Sequence, residues 1–322
     1  MWKAVFLVIL QSNNRACEIR VPTYQRPQWL REALLSLQNQ TVHNWKAIVL
    51  DDDPLSSALP VVHELNDSRI CYLNTSFDRG CVQNLGRAFR TRKYFDDSYY
   101  FSVLEDDNWY YPMFLEAGIA ATQENMVDIV FLDQEVWVRS ERDKINTYLS
   151  TLSQVVPRGV VPPEFIRASL FLSHSISNGS LFWTANSTSD FSVPSPVPFD
   201  SYTQEMQRAL SISEKVYVSS VPYSAWSDCS TSLKHRSFAN SKTLIRGSYR
   251  LRKLALSSLP RHQRAFWLEK VYDFHRSQRD YPRDLFVKIV VRSSGFHLLH
   301  SWSLSKMIIK APLQFLLGLL NL

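Results

Sequence analysis

Glycine is scarce, with eight residues in 322. No G-x-x-x-x-G-K-[ST] loop and no G-x-G-x-x-G fingerprint occurs, so a P-loop nucleotidase or a dinucleotide-binding oxidoreductase is excluded. Cysteine is equally sparse: Cys17, Cys71, Cys81 and Cys229 are scattered, without a C-x-x-C pair. That pattern argues against a structural zinc site or a disulfide framework and fits free thiols in a reducing, cytoplasmic setting. Long apolar runs are missing too. The N-terminal run, Ala4 to Leu10, has seven apolar residues, where a bilayer span needs about 20. The C-terminal Trp302–Leu322 is apolar but broken by Lys306, Lys310 and Pro312. There are no internal repeats and no low-complexity tract.

The chain does contain enough apolar residues, 45% of the total, to bury a full core. Its net charge of +6 is unevenly spread. Residues 234–310 carry 17 Lys and Arg against four acids, or +13, leaving 19 basic and 26 acidic residues, or −7, elsewhere. An acidic front and a basic back imply regions with different partners. Residues 1–16 read as a leader or an extra strand, 17–233 as the main domain, and 234–322 as a basic helical region with an apolar tail.

In the main domain, short apolar β-prone runs alternate with amphipathic stretches. Strands are expected at 17–21, 45–50, 70–73, 99–104 and 127–138, with helices at 27–39, 55–65, 79–89 and 113–122. A second set follows: a turn into a strand at 178–183, a helix at 201–211 and a strand at 215–221. Residues 139–163 read as a polar loop, and Trp109 to Pro112 as the opening of a helix. Alternation of this kind predicts a mostly parallel, Rossmann-like α/β sheet flanked by helices. Ligands then sit outside the carboxyl ends of the strands. Three of those ends carry Pro22-Thr23-Tyr24, Asp51-Asp52-Asp53 and Glu105-Asp106-Asp107. Carboxylates crowded at a buried strand end repel one another unless a cation sits among them. Hard oxygen ligands suit Mg²⁺ or Mn²⁺, and the bland alternative is a solvated acidic turn capping the next helix.

Four segments together resemble family 2 glycosyltransferases of the GT-A fold: Ile19-Arg-Val-Pro-Thr-Tyr-Gln-Arg-Pro27, Trp45-Lys-Ala-Ile-Val-Leu-Asp-Asp-Asp53, Arg79-Gly-x3-Asn84-Leu-Gly86 and Leu104-Glu-Asp-Asp-Asn-Trp-Tyr-Tyr-Pro112. They stand in family order and spacing over about the first 125 residues. The resemblance implies transfer of a sugar from a UDP-, dTDP- or GDP-linked donor to a sugar or lipid-linked acceptor, with a divalent metal on the diphosphate. It assigns Pro22, Thr23 and Tyr24 to the nucleotide base and Asp52 to a hydrogen bond from it. Asp53 replaces the usual small residue there, which leaves the choice among Asp51, Asp52 and Asp53 open. Arg26, Arg79 and Asn84 belong to the nucleotide-sugar set, Asp106 to the ribose or a metal-bound water, and Asp107 to the metal. Glu105 occupies the position of the first acid of a D-x-D and is a further candidate ligand, as is His235 in the basic loop after the last core strand. Inverting transfer also needs a general base near the start of the helix at 201. Asp200 is the candidate and Glu205 the alternative, while an N-cap role explains Asp200 equally.

Several competing readings stay open. Trp109, Tyr110, Tyr111 and Trp183 suit sugar stacking or plain core packing. The basic C-terminal region suits a peripheral anchor on the inner face of the plasma membrane or a solvated helical cap. A non-catalytic sugar-nucleotide binder of the same fold remains an alternative. A nucleic-acid-binding protein is disfavoured because no recognition motif accompanies the basic surface.

Overall fold

The computed structural model describes residues 15–74, 80–139, 143–153, 155–172, 176–193, 201–228, 251–252 and 254–277. A ten-stranded sheet runs through it in the order β3-β2-β1-β4-β9-β6-β10-β5, with β7 paired to β6 and β8 to β10. The first half alternates strictly: β1 (Ala16–Thr23), α1 (Pro27–Gln38), β2 (Trp45–Asp51), α2 (Leu59–Leu65), β3 (Ile70–Asn74), α3 (Cys81–Ala88) and β4 (Ser98–Val103). All pairings among β3, β2, β1 and β4 are parallel. This part is the Rossmann-like half that the alternation predicts.

The rest is mixed. After β5 (Trp109–Tyr110) and α4 (Phe114–Asn125), the long β6 (Ile129–Arg139) is followed by β7 (Lys144–Ser150), β8 (Gly159–Val161) and α5 (Pro163–Leu172). Next come β9 (Leu181–Thr184), α6 (Ser201–Ser211), β10 (Val216–Asp228) and α7 (Arg264–Ser277). Strand β9 inserts antiparallel between β4 and β6, and β10 returns parallel to β6.

Three local expectations are corrected. Trp109 and Tyr110 form a strand on β10 rather than opening a helix, pairing Trp109 with Ala225 and Tyr110 with Ser224. Two adjacent aromatics suit that pleated edge, and the helix waits until Phe114, after Pro112. The expected loop over 139–163 contains β7 and β8, because the long β6 and β10 offer partners that a local reading does not see. Strand β10 also continues past Pro222, with register shifts on both sides of that residue. A bulge is where a strand tolerates a residue that cannot donate to the ladder.

Both faces of the sheet are covered, so the central strands are apolar at successive positions. On β2, Ala47 and Val49 face a core completed by α1, α2 and α4, through Leu30, Leu34, Val62 and Phe114. Ile48 and Leu50 face the opposite core, with Phe89 and residues of α5, α6 and α7. Trp183 is buried there, stacked on Phe89 and Phe101, which makes it a core residue. Among the described residues, no helix is long and apolar enough to cross a membrane.

Candidate functional site

The site grows from the carboxyl ends of β1, β2 and β4. Beyond β4 the chain turns at Glu105-Asp106-Asp107-Asn108, closed by the Asn108 N–H donating to the Glu105 carbonyl at 3.0 Å. Asn108 is buried, and its side-chain oxygen accepts the Ser227 N–H at 2.8 Å, locking the turn onto β10. Asp106 points back to β1: Thr23 Oγ1 donates to its Oδ2 at 2.8 Å. Arg26, just ahead of α1, bridges Asp106 Oδ1 at 3.1 Å and Asp107 Oδ2 at 2.9 Å. Arg139, at the end of β6, donates to the Asp107 carbonyl at 3.4 Å.

Electrostatically, the turn is under strain. Burial, Asp107, Glu205 and Asp106 push the Glu105 carboxyl up to about 8, against a hydrogen bond from Asn178 that lowers it. Burial and Asp107 push Asp106 up to about 7, with Arg26 and Thr23 opposing. Asp107 is raised by burial and held back by Arg26. Three acids that resist ionisation together form a set that a divalent cation would relieve. No group of three or more His, Cys, Asp or Glu side chains encloses a metal position among the described residues. The donor set is therefore hard and incomplete, suited to a cation that takes its remaining oxygens from a bound ligand. The residues fit such an ion, with Asp107 the more accessible and Asp106 the more deeply buried.

Beside the turn lies a second acidic strand end. Asp51 is saturated inside the fold, accepting from the Asp53 N–H at 2.9 Å, the Ala58 N–H at 3.3 Å and the Tyr72 hydroxyl at 2.8 Å. Asp53 organises the following turn through Leu55 N, Ser57 N and Gln25. Asp52 instead faces α3. Its Oδ2 accepts the Gly80 N–H at 2.9 Å, and Arg87 lies 3.8 Å from Oδ1. Gly80 has φ +82, which a residue with a side chain adopts only under strain. Asn84 on α3 donates to the carbonyls of Thr23 and Leu50, at 3.2 and 2.9 Å, and so ties the ends of β1 and β2 together. Pro22 and Thr23 are buried at the end of β1, and Tyr24 is 41% exposed at its rim.

Thus Thr23, Arg26, Asp106 and Asp107 meet in one cluster, with Asp52 and Asn84 on the adjoining strand ends. Glu105 turns away, toward Asn108, Asn178 and Glu205. Glu205 accepts the Asn178 N–H at 3.4 Å. Arg208, one turn on, is buried beneath, donating to Asn178 at 3.0 Å and Gln204 at 2.9 Å, and burial lowers it to about 10. Gly179 follows Asn178 where a Cβ would meet Gln134 Nε2 at 2.8 Å, so a larger residue there would have to displace the end of that side chain. Arg79, Asp200 and His235 lie outside the described residues. Sequence reasoning missed Arg139 and Arg208. Arg139 ends a strand whose length was legible, but its approach to Asp107 depends on sheet order.

Residues 18–168 match the model of glycosyl transferase family 2. Protein CgeD of Bacillus subtilis is 31% identical over 98 residues, 29% of this chain and 23% of that protein. The putative colanic acid biosynthesis glycosyl transferase WcaA of Escherichia coli is 29% identical over 99 residues, 30% of this chain and 34% of that protein. The matched stretch thus spans no more than about a third of these relatives' own length. Among solved structures, S. aureus TarS 1-349 superposes with a TM-score of 0.58 at 14% identity, covering 92% of this chain and 78% of that one. The same protein in complex with UDP-GlcNAc gives 0.57 at 14%, covering 93% and 80%. At such identity the likeness establishes the fold alone, a mixed α/β sheet of the GT-A type.

Proposed function

We propose that this chain, whose residues 18–168 match the glycosyl transferase family 2 model, moves a sugar from a nucleotide-diphosphate donor to an acceptor hydroxyl, with inversion, in the synthesis of a cell-surface polysaccharide or glycolipid. The observation that carries the reading is the Thr23–Asp106–Arg26–Asp107 cluster at the carboxyl ends of parallel strands. Tyr24 at the rim would stack on the base, and Asp52, held by Gly80, would accept its hydrogen bond. Asp106 would meet the ribose. Asp107 would hold Mn²⁺ or Mg²⁺ together with diphosphate oxygens, and Arg26 is the guanidinium already bridging that position. When bound, such an ion neutralises the charge that develops on the departing diphosphate. UDP is the first nucleotide to test, because the similar TarS structure was obtained with UDP-GlcNAc.

In the transfer itself, the acceptor oxygen attacks the anomeric carbon as the bond from that carbon to the diphosphate oxygen breaks. The base takes the acceptor proton and the nucleoside diphosphate leaves with the electron pair. Asp200 is our first choice of base and Glu205, beside the Asn178–Gly179 turn, the second. If Asp200→Ala remains active while Glu205→Ala does not, the order is reversed. The direct test of the reading is a thermal-shift and donor-hydrolysis screen of the full chain against UDP-, dTDP- and GDP-sugars with and without Mn²⁺. Stabilisation by at least one donor in the presence of Mn²⁺ is expected, and the absence of any shift with every nucleotide diphosphate sinks the reading.

Peripheral attachment to an anionic membrane through residues 234–322 is part of the same proposal, supported by their charge and apolar tail. Flotation of the full chain with anionic liposomes, against a chain ending near residue 297, tests it. Equal flotation removes the tail as anchor.

A further inference from the structure

The acidic turn is continuous with a row of aromatic and hydrogen-bonding side chains that donor binding does not use. Glu135, Trp137 and Arg139 are spaced by two along β6 and so line one face of that strand. The row begins at Arg139, against the Asp107 carbonyl, and runs about 13 Å to Glu135. Trp137 meets Trp109 of β5 edge to face, with centroids 5.4 Å apart, and its Nε1 donates to the Tyr111 hydroxyl at 3.2 Å. That hydroxyl donates to Glu135 at 2.5 Å, and Asn146 of β7 donates to the same carboxylate at 2.8 Å. On the α1 side, Trp29 carries Arg139 4.6 Å and Arg26 5.1 Å from its centroid. Lys144 lies 4.7 Å over Trp109. Trp29, Trp109, Tyr111 and Trp137 are all half-buried, so each keeps ring surface in solvent. Tyr110, between Trp109 and Tyr111, turns inward onto Phe114.

The edge strand is shaped around this row. Glu135 pairs with Ser150 but Trp137 with Asn146, so β7 carries extra residues between them. In that bulge Tyr148 stands at φ +58 and is 88% exposed. A bulky side chain in left-handed backbone is costly, and bulges re-aim side chains beside functional sites.

We infer that this row is the acceptor subsite and that it takes the rings of an uncharged carbohydrate. The inference rests on the glycosyl-transfer reading above and names the acceptor's class. Aromatic faces interleaved with a carboxylate, a carboxamide and a hydroxyl match the alternating apolar faces and hydroxyl edges of pyranose rings. Charge decides against a polyanion. Arg139 and Lys144 are both paired with Glu32, Glu135 adds a second carboxylate, and the row ends at an acidic turn. A ring seated on Trp137 has its leading hydroxyl directed along β6 toward Arg139 and Asp107, where transfer takes place.

The test uses the full chain, neutral oligosaccharides built on glucose, galactose or N-acetylglucosamine, and uronic-acid-containing counterparts. Binding is read by tryptophan fluorescence and calorimetry, with the thermal shift by UDP, dTDP and GDP plus Mn²⁺ measured in parallel. At least one neutral oligosaccharide is expected to bind. Trp137→Ala and Trp109→Ala are expected to weaken it at least about tenfold, and Trp137→Phe to recover most of the loss, because stacking needs a ring rather than an indole N–H. Three outcomes overturn the inference: no oligosaccharide binds while a nucleotide still shifts the protein, an acidic oligosaccharide binds better than its neutral counterpart, or both alanine variants bind like the parent. Loss of every nucleotide shift in the parent chain overturns the underlying reading instead.

Discussion

Strand β1 touches two buried charge clusters that obey opposite rules. In its middle, Glu18 and Arg20 form an ion pair at 2.7 Å with almost no solvent exposure. Glu18 also accepts the N–H groups of Tyr94 and Phe95 and the Ser98 hydroxyl. Arg20 donates to the carbonyls of Ala88, Arg90 and Arg92. Opposite charges and satisfied donors staple the connection between α3 and β4. At the end of the same strand, Thr23 meets Asp106, one of three neighbouring acids that Arg26 compensates only in part. A buried pair that is complete reads as structure. A buried set of like charges that is incomplete reads as a site awaiting a cation or a ligand.

The largest expected effect breaks the first cluster. Glu18→Ala leaves Arg20 buried without its carboxylate, at a cost of about 3–5 kcal/mol of stability. Urea unfolding measures it, and a loss below about 1 kcal/mol would dissolve the distinction. The second cluster responds in the opposite sense. Asp107→Ala removes one of three repelling acids, so stability holds or rises, while Mn²⁺-dependent donor binding is lost and transfer falls by about 10²–10³, or 2.7–4 kcal/mol of transition-state stabilisation. Donor binding that persists in Asp107→Ala moves the metal role to Asp106 or Glu105. Asp200→Ala is expected to spare donor binding and remove transfer, which separates the base from the clamp.

The contrast also explains how much could be read before the fold was known. The β1–β4 half was legible because each strand pairs with a neighbour that follows the same local alternation, and Asp51-Asp52-Asp53 and Glu105-Asp106-Asp107 stand at its strand ends. What lay hidden depends on pairing between distant segments. Trp109 and Tyr110 look like a helix start until β10 supplies partners 116 and 114 residues away. The polar Lys144–Ser150 looks like a loop until β6 supplies one. Arg208 looks like a surface helix residue until the Asn178 turn closes over it. Nor does sequence say which acid of a run is saturated, since that depends on Tyr72 and Ala58.

A smaller effect comes from pH. Folding raises Glu105 to about 8 and Asp106 to about 7, above the ordinary carboxylate range near 4. The folded state then holds more protons than the unfolded state between those limits. Stability from this cluster is complete below about pH 4 and is lost as pH rises through 7 and 8. Asp67, lowered to about 2 by Arg69, acts only at the acid end and does not mask the trend. The melting temperature of the metal-free protein is expected to fall between pH 5 and 8, less steeply in Asp106→Asn, and to recover with Mn²⁺ at pH 8. A flat profile in the parent chain removes the electrostatic strain on which the clamp depends.

The smallest effect sharpens the choice among the three acids after β2. Asp51 has both carboxylate oxygens engaged by Asp53 N–H, Ala58 N–H and the Tyr72 hydroxyl, which Asn74 also contacts. Asp53 is held below the ordinary range: burial works against its charge, but donors from Ser57, Gln25 and Leu55 outweigh it. Both are occupied in shaping the turn, which leaves Asp52 as the proposed acceptor for the base. Tyr72→Phe removes one donor from Asp51 and is expected to cost about 1 kcal/mol, with the nucleotide-induced thermal shift unchanged. Asp52→Asn is expected to do the reverse, lowering nucleotide affinity with little change in stability. Should Tyr72→Phe weaken nucleotide binding while stability holds, the base is read by Asp51, and the saturated carboxylate is the functional one.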